Sequence, residues 1–132
     1  MAAMSAVMLL RILVSVYFAF SSADKQAKPG QTVILPCKTA DSQPALAVEW
    51  RRSDLESEYV LLFRDDRTDA GNQHPSYKNR TDLQDRQMKN GDVSLVLKNV
   101  TTNDTGTYEC KVQNEESRRI KLIVQVDVPP SP

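Results

Sequence analysis

The chain has 132 residues, with 17 lysines and arginines against 17 aspartates and glutamates, for a formal net charge of +0. That length suits one ordinary domain. With no net charge and no like-charged block, nothing points to a nucleic acid or an anionic membrane surface as partner. Two cysteines and a single histidine, His74, cannot furnish a structural zinc site once the cysteines are paired.

The first element is a leader. Arg11 precedes the run Ile-Leu-Val-Ser-Val-Tyr-Phe-Ala-Phe at 12–20, and Ser21-Ser22-Ala23 follows with small residues at its first and third places. A basic n-region, an apolar h-region and an A-x-A-like site predict a secretory signal peptide over 1–23, cut after Ala23. The run falls short of the roughly 20 residues a bilayer span needs, and extending it backwards would bury Arg11. Cleavage leaves 109 residues and removes Arg11 alone among the charges, so 16 basic residues face 17 acidic ones. Secretion makes a disulfide the expected state of the cysteines.

Short runs with period-two apolar alternation then recur, with no helix-period segment of useful length between them. Gly30-Gln31 leads into a strand over 32–37, with Val33, Leu35 and Cys37 on one face. A second strand covers 47–51 with Val48 and Trp50 inward. Residues 59–63 (Tyr-Val-Leu-Leu-Phe) form a third run, ending at the turn Arg64-Asp65-Asp66-Arg67. A further strand lies within 75–83. Asn90-Gly91 is a tight-turn signal ahead of a strand over 93–97 with Val93, Leu95 and Leu97 inward. Strands over 107–112 and 120–126 complete the series, the last with Ile120, Leu122, Val124 and Val126 on one face. Val128-Pro129-Pro130-Ser131-Pro132 reads as a linker or the end of a fragment, which leaves 24–127 as the domain.

Across these strands runs one ordered pattern. Cys37 is followed 13 residues later by Trp50, and Cys110 ends the run Asp104-Thr105-Gly106-Thr107-Tyr108-Glu109-Cys110. A Cys…Trp…Cys series closed by Asp-x-Gly-x-Tyr-x-Cys is the signature of an all-β, immunoglobulin-like β-sandwich of two antiparallel sheets. Cys37 and Cys110 join the sheets and Trp50 packs on the bridge. Gly106 permits the turn into the strand, and the Tyr108 hydroxyl reaches back to the backbone. Tyr77 lies 27 residues after Trp50, and the stretch includes the run at 59–63, which leaves room for the two extra strands of a V-set domain.

Over 31–126 the chain resembles V-set domains of the butyrophilin-like family, which includes myelin oligodendrocyte glycoprotein and related T-cell costimulatory and coinhibitory ligands. The matching pieces are Val33-Ile34-Leu35-Pro36-Cys37, Val48-Glu49-Trp50-Arg51, Pro75-Ser76-Tyr77-Lys78-Asn79-Arg80-Thr81, Gly91-Asp92-Val93-Ser94-Leu95 and the run from Asp104 to Cys110. The resemblance implies an extracellular module that engages a protein receptor on another cell, often a T cell, and modulates its signalling. It also implies a salt bridge between Arg80 and Asp104. The last strand lacks the Gly-x-Gly of antigen-receptor variable domains, which argues against an antibody or T-cell-receptor chain.

The same residues speak against an enzyme, a cofactor or a small-molecule substrate. His74 lies in a polar loop, and no motif places two carboxylates around a pocket. Asp65-Asp66-Arg67-Thr68-Asp69-Ala70-Gly71 fails the spacing of a calcium loop and reads as a solvated turn. Asn79, Asn99 and Asn103 each open a glycosylation sequon. Asn79 and Asn99 are assigned to the sheet opposite Trp50, so partner docking is expected on the outer face of the other sheet. There, alternation turns Glu49, Arg51, Glu109 and Lys111 outward, with Phe63 or Leu62 as an apolar anchor. Homophilic or heterophilic adhesion is the alternative to receptor binding. Membrane attachment requires chain beyond residue 132.

Overall fold

The computed structural model describes residues 22–39, 45–55, 57–113 and 119–131; most of the leader lies outside them. Nine strands are present among the described residues: β1 (Ser22–Gln26), β2 (Val33–Leu35), β3 (Ala47–Arg52), β4 (Leu61–Arg64), β5 (Arg67–Thr68), β6 (Thr81–Leu83), β7 (Leu95–Leu97), β8 (Gly106–Gln113) and β9 (Arg119–Asp127). They form a six-stranded sheet in the order β1-β9-β8-β3-β4-β5 and a three-stranded sheet in the order β2-β7-β6. All pairings are antiparallel except that of β1 with β9, which is parallel. This edge strand has no apolar alternation of its own and is not apparent in the sequence. It begins at Ser22, so a cut after Ala23 removes its first two residues.

Two sheets of this kind hold together because each turns an apolar row toward the other. Val33, Leu35 and Cys37 from β2 and its exit meet Val93, just before β7, and Leu95 and Leu97 of β7, while Val48 and Trp50 of β3, Cys110 and Val112 of β8, and Val124 and Val126 of β9 face them; all are buried. The Cys37–Cys110 disulfide ties the layers across 73 residues of chain, a loop worth about 4 kcal/mol in the chain-entropy account. Trp50 sits directly opposite Cys110 in the β3–β8 register, and its indole N–H donates to the Val93 carbonyl at 3.0 Å. Val128, assigned to the linker by composition, is only 1 % exposed and belongs to the core. Its N–H donates to Thr105 Oγ1, which fastens the chain beyond β9 to the sandwich.

The strands that mark a V-set domain are β4 and β5. The apolar run at 59–63 breaks strict alternation: Val60, Leu61 and Phe63 all enter the core. The chain bends at its start, where Tyr59 pairs in parallel with Gln73 and the Val60 N–H reaches the Trp50 carbonyl. At the β4–β5 tip Asp65 and Asp66 both take positive φ, 54° and 60°. These are the angles that let a two-residue turn follow the strand twist. Asp69 then closes the segment, accepting from the Gly71 N–H at 2.9 Å and from Arg64 at 2.8 Å. These two donors, the amide first, hold its carboxyl below the ordinary aspartate range.

Candidate binding face

Pairing β3 with both β4 and β8 fixes which side chains share the outer face. Glu49 stands opposite Lys111 on one side and opposite Leu62 on the other, and Arg51 stands opposite Glu109. The four charged residues therefore form two adjacent rows, each pairing an acid with a base. Arg51 Nε approaches Glu49 Oε2 to 3.5 Å, with both side chains about one-third exposed. This contact is an ion pair rather than a hydrogen bond, and Arg51 Nε has no acceptor. The guanidinium carbon instead lies 4.3 Å from the centroid of the Tyr59 ring, a cation–π contact.

The expected anchor Phe63 is not on this face. It stands opposite Val48 in the register, shares that residue's inward side, and is 4 % exposed within the core. Leu62 takes the outer position, and it too is only 4 % exposed. The bend at Tyr59 sets this parity, which the run of five similar residues could not reveal. The aromatic on the face is Tyr59, half-buried beneath Arg51 and absent from the sequence-derived set. Its signal was present, since Tyr is the one amphipathic residue in that run.

A second cluster of charge lies at the end of the sandwich where β3 and β7 finish and β6 and β8 begin. Arg80 Nη2 is 2.5 Å from Asp104 Oδ2 and Nη1 is 3.4 Å from Oδ1, with the Asp104 side chain 4 % exposed. Arg80 also donates to the carbonyls of Ser76, Lys98 and Asn99, so its planar fork ties two backbone segments to the Asp104 side chain. Asp104 in turn accepts from the Thr101 N–H within a capping box.

Beside this pair lies a chain of hydroxyl groups. Tyr108 donates to the Asp104 carbonyl at 2.6 Å, which commits its one proton. Tyr77, whose hydroxyl oxygen lies 2.8 Å from that of Tyr108, must therefore donate to it. Tyr77 in turn accepts from Arg52 Nη1 at 2.6 Å. Burial pushes both tyrosine hydroxyls above their ordinary value. Arg52 also grips Asp54 with two bonds of 2.6 and 3.0 Å and donates to the Asn103 carbonyl. Neither Arg52 nor Tyr77 stands in the sequence-derived site. Arg52 was detectable: it lies two residues from Trp50, on the inward parity, where a charge demands partners.

Gly106 has a different role from the one its motif suggested. Its φ is not in the left-handed region, unlike those of Gly30 and Gly91. A Cβ at Gly106 would instead stand 3.1 Å from Arg52 Cδ and 3.4 Å from Cγ. A side chain there would press on the Arg52 stem, whose head is held by Asp54, Tyr77 and the Asn103 carbonyl.

The three sequons gather at this same end. Asn79 and Asn99 lie in turns two residues beyond the paired Thr81 and Leu97, not on the strands themselves, and both take positive φ (64° and 50°). Asn103 sits in the 3-10 turn Thr102–Asp104, and all three are exposed.

Comparison with known proteins matches this architecture. The model of the immunoglobulin V-set domain matches residues 21–129. A CD276 antigen homolog of Xenopus laevis is 31 % identical over 101 residues, covering 74 % of this chain and 32 % of that protein. Myelin-oligodendrocyte glycoprotein of Homo sapiens is 33 % identical over 104 residues, covering 74 % and 42 %. The chain thus spans well under half the length of these relatives. Among solved structures, the human B7-H4 IgV-like domain superposes with a TM-score of 0.71 at 22 % identity, covering 80 % of this chain and 91 % of that one. Sequence, disulfide, strand order and these relatives agree, and the chain belongs to the immunoglobulin V-set domain family, among the butyrophilin- and myelin-oligodendrocyte-glycoprotein-like members.

Proposed function

We propose that this domain is an extracellular recognition module that docks a receptor protein on another cell, a lymphocyte, through the outer face of the six-stranded sheet and so modulates T-cell signalling. The observation that carries the reading is the contrast between the two charged regions. At the end of the sandwich Arg80 is spent on the buried Asp104 carboxylate and three carbonyls, whereas Glu49, Arg51, Glu109 and Lys111 share an accessible face beside Tyr59. An arginine stacked on a tyrosine and ringed by charge is the composition of a modest protein–protein contact. Asn79 and Asn99 lie in turns of the three-stranded sheet, so glycans there would stand away from this face. The relatives support a module of this class, and export by the leader over 1–23 would place it outside the cell.

The test is staining of lymphocyte populations with a fluorescent multimer of the secreted chain, since multivalency lifts a weak contact into view. Arg51→Ala and Tyr59→Ala are expected to abolish staining while leaving the melting curve in place. Substitutions of Ile34 and Val96, on the outer face of the three-stranded sheet, are expected to leave it intact. The opposite pattern would move the site to the other sheet.

A further inference from the structure

Along one edge of the sandwich the two sheets leave a gap. The six-stranded sheet ends at β5, which is two residues long, and the three-stranded sheet ends at β6; the two edge strands do not pair. At this seam lies a cleft of about 170 Å³. Thr68 stands opposite Phe63 in the β4–β5 register, so it turns toward the seam and not toward the outer face. The buried Leu61 and the exposed Ala70 give the cleft apolar walls, while Thr68, Asp69 and Gln73 bring polar groups to it. Two of these groups are fixed in place. The Asp69 carboxylate is held by the Gly71 N–H and by Arg64. The Gln73 amide donates to the Val60 carbonyl at 2.9 Å and to Thr81 Oγ1 at 2.8 Å. Apolar walls with a few fixed polar groups make a site for a small ligand.

Asn79 forms part of the same wall. It is exposed, takes a positive φ of 64°, and opens the sequon Asn79-Arg80-Thr81. We infer that the cleft seats the first sugar, an N-acetylglucosamine, of a glycan carried by Asn79. The ring face and acetamide methyl of that sugar lie on Leu61 and Ala70. Its hydroxyls donate to the Asp69 carboxylate and the Gln73 side-chain oxygen, both of which have lone pairs for more than one donor. The bond to Asn79 keeps the sugar at the mouth of the cleft, so a contact too weak to hold a free sugar suffices for a tethered one. The cleft has room for one ring, and the rest of the glycan runs out into solvent. Seated there, the sugar joins the exit of β5 to the turn before β6 and closes the gap at the seam. Asn99 and Asn103 form no part of this cleft. The inference goes beyond receptor docking, which uses the outer side of the six-stranded sheet.

The test compares the secreted chain, trimmed by an endoglycosidase to single N-acetylglucosamines, with the same polypeptide refolded from a host that adds no glycans. Mass mapping is expected to find a sugar on Asn79; an unmodified Asn79 overturns the inference. The trimmed chain is expected to melt about 3 °C above the sugar-free one. Both forms are then made with Ala70→Leu, which fills the cleft from an exposed position. Sugars on Asn99 and Asn103 contribute equally in either background, so the difference between the two gains isolates the cleft. Ala70→Leu is expected to remove most of the gain. In the trimmed original chain, a nuclear Overhauser contact is expected between the acetamide methyl on Asn79 and the Ala70 methyl. No gain in the original chain, an equal gain in both backgrounds, or an acetamide methyl without contact to Ala70 each overturns the inference. If Ala70→Leu does not fold, the Overhauser contact decides.

Discussion

At the end of the sandwich and on its outer face the chain uses one chemistry, arginine beside carboxylate, with opposite consequences. Arg80 reaches a carboxylate that is 4 % exposed and also serves three backbone carbonyls, so removing its charge strands the buried Asp104 carboxylate and takes a donor from each carbonyl. Arg51 meets Glu49 at the surface, without a hydrogen bond at Nε, and rests on Tyr59. Both side chains are about one-third exposed, and loss of Glu49 takes no hydrogen bond from Arg51 Nε, which already lacks an acceptor. A charged pair therefore reports on stability or on recognition according to what surrounds it, not according to which residues compose it.

The largest expected effect lies at the end. Arg80→Ala leaves the Asp104 carboxylate without its cation and should cost about 3 kcal/mol in a denaturant titration. A loss below about 1 kcal/mol would erase the distinction between the two regions. Tyr108→Phe removes the donor to the Asp104 carbonyl and the acceptor for Tyr77 together, for about 2 kcal/mol. The same pair predicts a pH dependence. Both folded hydroxyls titrate above the unfolded tyrosine value of about 10, so their contribution is complete below that pH and is lost as pH climbs toward the folded values. Ultraviolet titration should show Tyr77 and Tyr108 ionising only as the domain unfolds.

Smaller effects sharpen the comparison. Gly106→Ala should cost about 1 kcal/mol because the new Cβ presses on the Arg52 stem, and in an Arg52→Ala background that cost should vanish. Equal costs in both backgrounds would mean that the glycine serves its own backbone after all. Least of all, Glu49→Lys and Lys111→Glu should move stability by no more than about 0.5 kcal/mol, while weakening lymphocyte staining. A large stability loss there would make these acid–base rows a structural device like the one at the end.

Much of this architecture was legible in the chain. The alternation of Val33, Leu35 and Cys37, of Val48 and Trp50, and of Val93, Leu95 and Leu97 assigns their inward faces, because a strand's period of two leaves no other choice once one residue is buried. The spacing from Cys37 through Trp50 to Cys110 gave the sandwich, and the residues between Trp50 and Tyr77 gave its V-set form. Where every residue of a run is apolar, alternation carries no information. Over 59–63 only the bend at Tyr59, held by Asn72, Gln73 and His74, decided that Phe63 enters the core and Leu62 does not.

By itself, then, the sequence determined the family, the inward rows and the motif at Cys110, since these depend on residues close in the chain or on parity along one strand. Only the tertiary structure decided which polar groups meet. Arg52 and Tyr77 are 25 residues apart and become partners because β3 ends where the segment before β6 begins. Asn79, Asn99 and Asn103 reach one end because β6, β7 and the turn before β8 converge there. The acid–base rows of the outer face exist because β3 and β8 pair in one register and not the next: a slip of a single residue would part Glu49 from Lys111 and Arg51 from Glu109.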